Sequence, residues 1–270
     1  MSPTKVLITV KTYPAISSKY EELVCTAGFR EDGKRVRIYP VQFRKKSYNE
    51  QYRKYDWIEL DLVKNDSDFR PESYRPYSFD SDINIVGHIG TDKNWTERKK
   101  IVLQKVYTNL HELIAEAHNK DVCTSLAVFK PKKILDFRVE SVEREWDKKK
   151  LERLRQMNLF ETVTTSGKFE VVRKLPYKFS YQFKDEAGTE SCLMIEDWEI
   201  GQLYWNCLAK YEGDESKAAD VRKKYFDDFA QTKDLYLFLG ASQVHHFPSK
   251  NPFMIIGTFQ PKKELTGSLF

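Results

Sequence analysis

The chain has 270 residues, room for one large domain or two small ones, and its 40% hydrophobic and 31% charged composition excludes wholesale disorder. No apolar run approaches the roughly 18 residues of a membrane span. The opening MSPTKVLITVKTYP lacks the long apolar stretch and cleavage site of a secretory signal, so a cytoplasmic protein without membrane contact is expected. Net charge is +5, but residues 1–54 carry twelve Lys/Arg against five Asp/Glu, a net of +7 that leaves −2 for the remainder. A basic end on a near-neutral body suits a polyanionic partner; a merely solvated charged face is the simpler alternative.

In chain order, KVLITV alternates poorly but is β-branched, which predicts a strand. TYPAISSKYEE predicts a turn and a short helix. ELVCTAGF and RVRIYPV predict strands joined by a hairpin turn at Asp32-Gly33, the second half-exposed. In SYNEQYRKY, Tyr48, Tyr52 and Tyr55 lie at helical spacing. WIELDLV reads as a strand and DSDFRPESYRPYSFDSD as a surface loop. Asn94 is placed to cap one long helix, TERKKIVLQKVYTNLHELIAEAHNK.

Beyond it, VCTSLAVF and KILDFRVESVEREW predict strands, and DKKKLERLRQMNLF a short basic helix. KFSYQFK and ESCLMI predict paired strands. Asp197 caps the helix WEIGQLYWNCLAKY, and DESKAADVRKKYFDDFAQ predicts another. DLYLFLG and PFMIIGTF are apolar enough for central strands. The class is α+β, mostly antiparallel sheet with helices packed on it. Residues 1–90 read as a basic β-rich part that contacts nucleic acid and 91–270 as an α+β part, unless both form one integrated domain.

One stretch carries the functional signal. Between Arg35 and Trp57 lie seven Arg/Lys, two acids and six aromatic residues. Strand alternation sets Arg35, Arg37 and Tyr39 on one face. Cations at that spacing follow a phosphate backbone, and aromatic faces take unstacked bases at roughly 1–3 kcal/mol each. The expected nucleic-acid contacts are therefore Arg35, Arg37, Tyr39, Phe43, Arg44, Lys45, Lys46, Tyr52, Arg53, Lys54 and Trp57. The tyrosines serve equally well as core.

Carboxylates supply the catalytic candidates. IEDWEIG sets Glu196, Asp197 and Glu199 at a strand-to-helix junction, where acids also serve simply as caps. Asp197 and Glu199 are candidates there, with Glu22 of the Glu21-Glu22 pair and Asp56 beside Trp57 as further ones. His245-His246 reads as a loop pair without a special role. Cys25, Cys123, Cys192 and Cys207 are scattered and form no C-x-x-C pair, so neither a disulfide framework nor a zinc site is expected.

Phosphate-binding, dinucleotide, zinc-protease and nucleophile-elbow motifs are missing, and no nuclease-type acid set is evident. No metal or other cofactor is expected. Phosphodiester cleavage usually calls for clustered metal ligands. Cleaving a base from its sugar needs a flipped nucleotide, an aromatic pocket and one carboxylate. The composition fits the second chemistry better, and it fits a module that only binds.

KTYPAISSKYEELVCTAGF, the REDG turn with RIYPVQFR, DFRPESYRP, IEDWEIGQLYWNC, and DLYLFLG with NPFMIIGTFQP together resemble a family of bacterial and archaeal proteins. The resemblance spans nearly the whole chain and is associated with phage-defence DNA glycosylases that remove glucosylated hydroxymethylcytosine. It implies a bacterial cytoplasm and DNA, including modified phage DNA, as partner; it assigns no catalytic residue. The leading expectation is a DNA-binding enzyme that hydrolyses an N-glycosidic bond and leaves an abasic site, in defence or repair. A metal-dependent nuclease using His245 or His246, a non-catalytic nucleic-acid-binding module, and an interaction protein whose rings are core are the alternatives.

Overall fold

The protein is described by a computed structural model over residues 3–17, 21–78, 80–152, 171–212 and 219–264. It is α+β with mostly antiparallel sheet. The first sheet is built from β1 (Thr4–Lys11), β2 (Ala15–Ser17), β3 (Glu21–Arg30), β4 (Arg35–Val41), β5 (Asp56–Leu60), β6 (Leu62–Lys64), β7 (Ser73–Pro76) and β8 (Asn84–His88). Its order is β6-β7-β4-β3-β1-β5-β8, with β2 paired on β3, and it curls into a half-barrel.

Two smaller sheets follow. One orders β15 (Phe253–Phe259), β14 (Tyr236–Ala241), β10 (Leu126–Phe129) and β9 (Val106–Tyr107); the other orders β11 (Lys133–Ser141), β12 (Tyr177–Lys184) and β13 (Glu190–Met194). The helices are α1 (Asp92–Val102), α2 (Leu110–His118), α3 (Trp198–Lys210) and α4 (Ala219–Arg222), the last continuing as a π-helix over Lys223–Ala230. No helix among the described residues is long and apolar enough to cross a membrane.

Packing explains the poor alternation of β1. Val6 and Ile8 enter a core inside the half-barrel, with Val36, Ile38 and Ile58. Leu7 and Val10 enter another, with Val128, Phe238 and Phe259 from the second sheet. Both faces of β1 are buried from Val6 to Lys11, so apolar residues occupy consecutive positions rather than alternating, as in a strand sandwiched between layers. The seam between the first two sheets is therefore itself hydrophobic core. A third core joins the remaining sheet to α2, α3 and the π-helix through Phe137, Tyr181, Tyr204 and Tyr225.

The same packing corrects several expectations. RVRIYPV is not half-exposed: β4 lies between β3 and β7, and its cation face meets the second sheet. Tyr48, Tyr52 and Tyr55 do not share a helix. Only Tyr48–Glu50 forms a 3-10 turn, Tyr48 is 90% exposed, and Tyr52 and Tyr55 enter different cores. TYPAISSKYEE supplies β2 rather than a helix over its described residues, and the 66–82 loop contains β7, paired parallel to β4.

The long helix is two. Asn94 sits in left-handed backbone (φ 54), β9 interrupts the run, and Asn109 caps α2 by accepting hydrogen bonds from the His111 and Glu112 N–H groups. The interruption lets β9 pair with β10, a tertiary gain that helical periodicity does not report. The basic helix at 147–160 begins at 148 and lies outside the described residues beyond 152, as do residues 214–218 of the helix expected over 214–231, whose described part is α4 and the π-helix. PFMIIGTF is an edge strand by sheet order, but Ile255 bridges Ile195 and so tethers the second sheet to the third.

Candidate active site

The junction between β13 and α3 is where the chemistry-bearing residues converge. Ile195 bridges Ile255, the Glu196 N–H donates to the Ile255 carbonyl at 2.7 Å, and Asp197 bridges Thr12. The backbone is extended here, so Glu196 and Asp197 point to opposite sides.

Asp197 points inward and is fully buried. It caps α3 by accepting from the Glu199 N–H at 3.3 Å. Lys54 donates to both of its carboxylate oxygens, at 2.9 and 3.0 Å, and to Glu199 Oε2 at 2.8 Å. Burial alone would lower Lys54, but these two carboxylates outweigh it and hold the ammonium above its usual range. Burial pushes the Asp197 carboxyl up to about 6, against the pull of Lys54. Lys11 lies alongside: it donates to the Tyr52 carbonyl at 2.9 Å and sits 4.2 Å from the Phe43 ring centroid and 5.1 Å from that of Trp198. Burial, then the like charge of Lys54, lowers it to about 8.

The other expected catalytic acids are also spent. Glu22 accepts from Arg44 Nη1 at 2.6 Å and from the Val172 N–H at 3.2 Å. Asp56, buried, accepts from the Arg53 N–H and pairs with His88 Nδ1, both at 2.7 Å. Glu199, with a half-exposed side chain, is held by Lys54.

Glu196 is the exception. It faces a cavity of about 360 Å³ at the seam between the first and second sheets. Burial raises its pKa, and no cation offsets the rise. The cavity walls also include Tyr13, Cys25, Arg37, Tyr39 and Arg70. Arg37 is 3% exposed; its guanidinium donates to Ser125 Oγ at 2.7 Å and to the Ser125 and Ala241 carbonyls at 3.1 and 3.2 Å. Arg70 donates to the same Ala241 carbonyl and forks onto Asp68. Two guanidiniums and a carboxyl thus line a largely apolar space, the usual make-up of a small-molecule site, and its volume falls near the lower end of the common range of roughly 300–1,000 Å³.

Tyr13 lines both this cavity and a second cleft of about 650 Å³. The cleft is walled by Phe43, Arg44, Arg173, Trp198 and Trp205. The Tyr13 hydroxyl donates to the Arg173 carbonyl at 2.8 Å and accepts from Trp205 Nε1 at 2.7 Å, while the Arg173 guanidinium lies 4.1 Å from the Trp205 centroid. Gly201 makes room for the Tyr13 ring, since a Cβ there would lie 2.1 Å from Cδ2.

The eleven expected nucleic-acid contacts scatter. Arg37 and Tyr39 line the cavity; Phe43 and Arg44 line the cleft; Lys45 and Arg53 are exposed. Tyr52, whose hydroxyl shares a 2.6 Å hydrogen bond with Thr26, and Lys54 are interior and cannot meet a strand from solvent. Lys46 donates to the Ser81 carbonyl at 2.7 Å, Trp57 lies beneath Lys5 at 5.3 Å, and Arg35 opens on a separate groove. His245 is exposed, whereas His246 is fully buried with Nε2 2.8 Å from the Ala117 carbonyl. Among the described residues, no three of His, Cys, Asp and Glu group in a way that suits a metal ion. Arg70 and Tyr13 carry no site signal in the sequence, and Glu196 stands there only as one of the three junction carboxylates, not as a named candidate; the one available signal is that it must face away from its capping neighbour.

The chain belongs to the family of a domain of unknown function, DUF8757, whose model matches residues 106–270. Residues 2–104 match the model of a second domain of unknown function, DUF8758. No curated protein matches. A solved structure of a murine DNA-binding protein bound with double-stranded DNA aligns over 98% of this chain and 97% of its own at 11% identity, with a TM-score of 0.32, a likeness too distant to bear on fold or ligand.

Proposed function

We propose that the protein binds DNA, takes one nucleotide into the seam cavity and hydrolyses its N-glycosidic bond, with Glu196 as the acting carboxyl. The observation that carries this reading is that Glu196, alone among the acids considered, faces a nucleoside-scale cavity without a charged partner. In the reaction the C1′–N bond breaks, the base leaves with the electron pair and a proton, and water adds its hydroxide to C1′. A carboxyl raised by burial suits proton transfer to the departing base or from the water. Arg37 and Arg70, held by Ser125, Ala241 and Asp68, give the cavity a positive wall, and the Trp198 and Trp205 cleft gives neighbouring bases a stacking platform. The resemblance of the sequence motifs to phage-defence glycosylases favours a modified base of phage DNA, in a bacterial cytoplasm.

The test is incubation with modified phage DNA and with unmodified DNA in EDTA, followed by alkali. Alkali-labile abasic sites made by the wild type and lost in Glu196→Gln support the reading. Intact DNA overturns the hydrolysis. Direct strand breaks restored by magnesium or manganese would establish a nuclease instead.

A further inference from the structure

A second groove, of about 390 Å³, lies where the β3–β4 turn meets the segment between α1 and β9. Arg30, Lys34, Arg35 and Lys105 line it, with Glu72 as its acid. Glu72 is spent elsewhere: one carboxylate oxygen accepts from the Ser125 N–H at 3.2 Å and the other from Ser125 Oγ at 2.9 Å. Arg35 is anchored by donation from Nη2 to the Lys105 carbonyl at 2.7 Å, while its buried Nε has no partner. Lys34 and Lys105 have side chains 77% and 59% exposed; Lys34 lies 3.5 Å from Asp32, and Lys105 lies 3.4 Å from Glu116 and 4.7 Å from the Tyr107 ring centroid. The Phe29 and Tyr74 rings form apolar parts of the wall.

We infer that this groove binds the phosphodiester backbone of a nucleic-acid strand. The inference rests on the nucleic-acid half of the proposed function, not on the hydrolysis. An anchored guanidinium flanked by exposed lysines, whose surface ion pairs cost little to exchange, suits a phosphate oxygen, and each neutralised phosphate releases counterions. Arg30, Lys34 and Arg35 come from the first matched region, and Lys105 falls between the two matched segments.

The experiment is fluorescence anisotropy in EDTA over a salt series, with duplex DNA, single-stranded DNA and RNA of one sequence as arms that distinguish the source of the backbone. Lys34→Gln/Lys105→Gln is expected to weaken binding roughly tenfold at low salt and to flatten the log–log salt slope by about 2. Lys223→Gln, on the exposed side of the π-helix, is the control expected to change neither. Equal affinity and slope for double variant and wild type overturn the inference, as does an equal loss in the control, or a wild type that binds none of the three. Groove-dependent binding with no abasic sites leaves this inference standing and removes the hydrolysis. Abasic sites formed equally by wild type and double variant, with unchanged binding, do the reverse.

Discussion

Lys54 and Asp197, 143 residues apart in the chain, meet at 2.9 Å in a place closed to solvent. The basic stretch and the acidic junction do converge, but as a structural lock. Removing one partner of such a pair strands the other, at a cost of about 3–5 kcal/mol. Lys54→Met should therefore lower the urea midpoint sharply, and Lys54→Met/Asp197→Asn, which keeps a cap at α3, should recover part of the loss. A double variant no more stable than the single would show that the two charges are not coupled.

Lys11 gives a pH signature. Its folded pKa of about 8 lies below the ordinary 10.5, so between those values the unfolded chain binds more protons than the native one. Stability then rises with pH across that window, as the cost of burying the charge is relieved, by an amount on the order of 3 kcal/mol at most. Lys11→Met should be the more stable protein near pH 7, and the advantage should shrink toward pH 10. A stability difference that stays flat with pH would exclude this.

Glu196→Gln should slow abasic-site formation by roughly 10²–10⁴-fold with DNA affinity unchanged. Because burial raises its pKa, the limb of the wild-type rate profile that Glu196 sets, acidic if it works as the base and alkaline if it works as the acid, should fall above the ordinary carboxylate range. Asp197→Asn, in contrast, should act mainly on stability. A Glu196→Gln protein with full activity would remove this residue from the chemistry.

Gly201→Ala tests the partition between cavity and cleft. On an open helical face the change would stabilise by nearly 1 kcal/mol. Here the added Cβ meets the Tyr13 ring at 2.1 and 2.3 Å, so overpacking should reverse the sign, costing about 1–3 kcal/mol. Loss of the Trp205–Tyr13 hydrogen bond should shift tryptophan emission in the same variant. A higher melting temperature would contradict the packing.

Much of the sheet content was legible, because strands such as KFSYQFK and ESCLMI pair locally and carry their own pattern. The α3 cap was legible for the same reason: Asp197 acts on the Glu199 N–H two residues away. The site was not. Arg37 looks like a surface cation until the second sheet is laid across β4 and its guanidinium is taken up by Ser125 and Ala241, 88 and 204 residues distant. Glu196 becomes distinctive only when Lys54, Arg44 and His88 have claimed the other acids. Which cation meets which acid is a property of the tertiary arrangement, and no local periodicity encodes it.

The seam also limits how this chain can be divided in evolution. A cut near Lys105 would send Lys54 and Arg37 away with one piece, and would leave Asp197, Ser125 and Ala241 on the other, each piece exposing half of a shared interior. Two stretches recognised by separate family models thus share one interior. Recombination with foreign modules would have to replace both at once, and lineages should keep or lose them together.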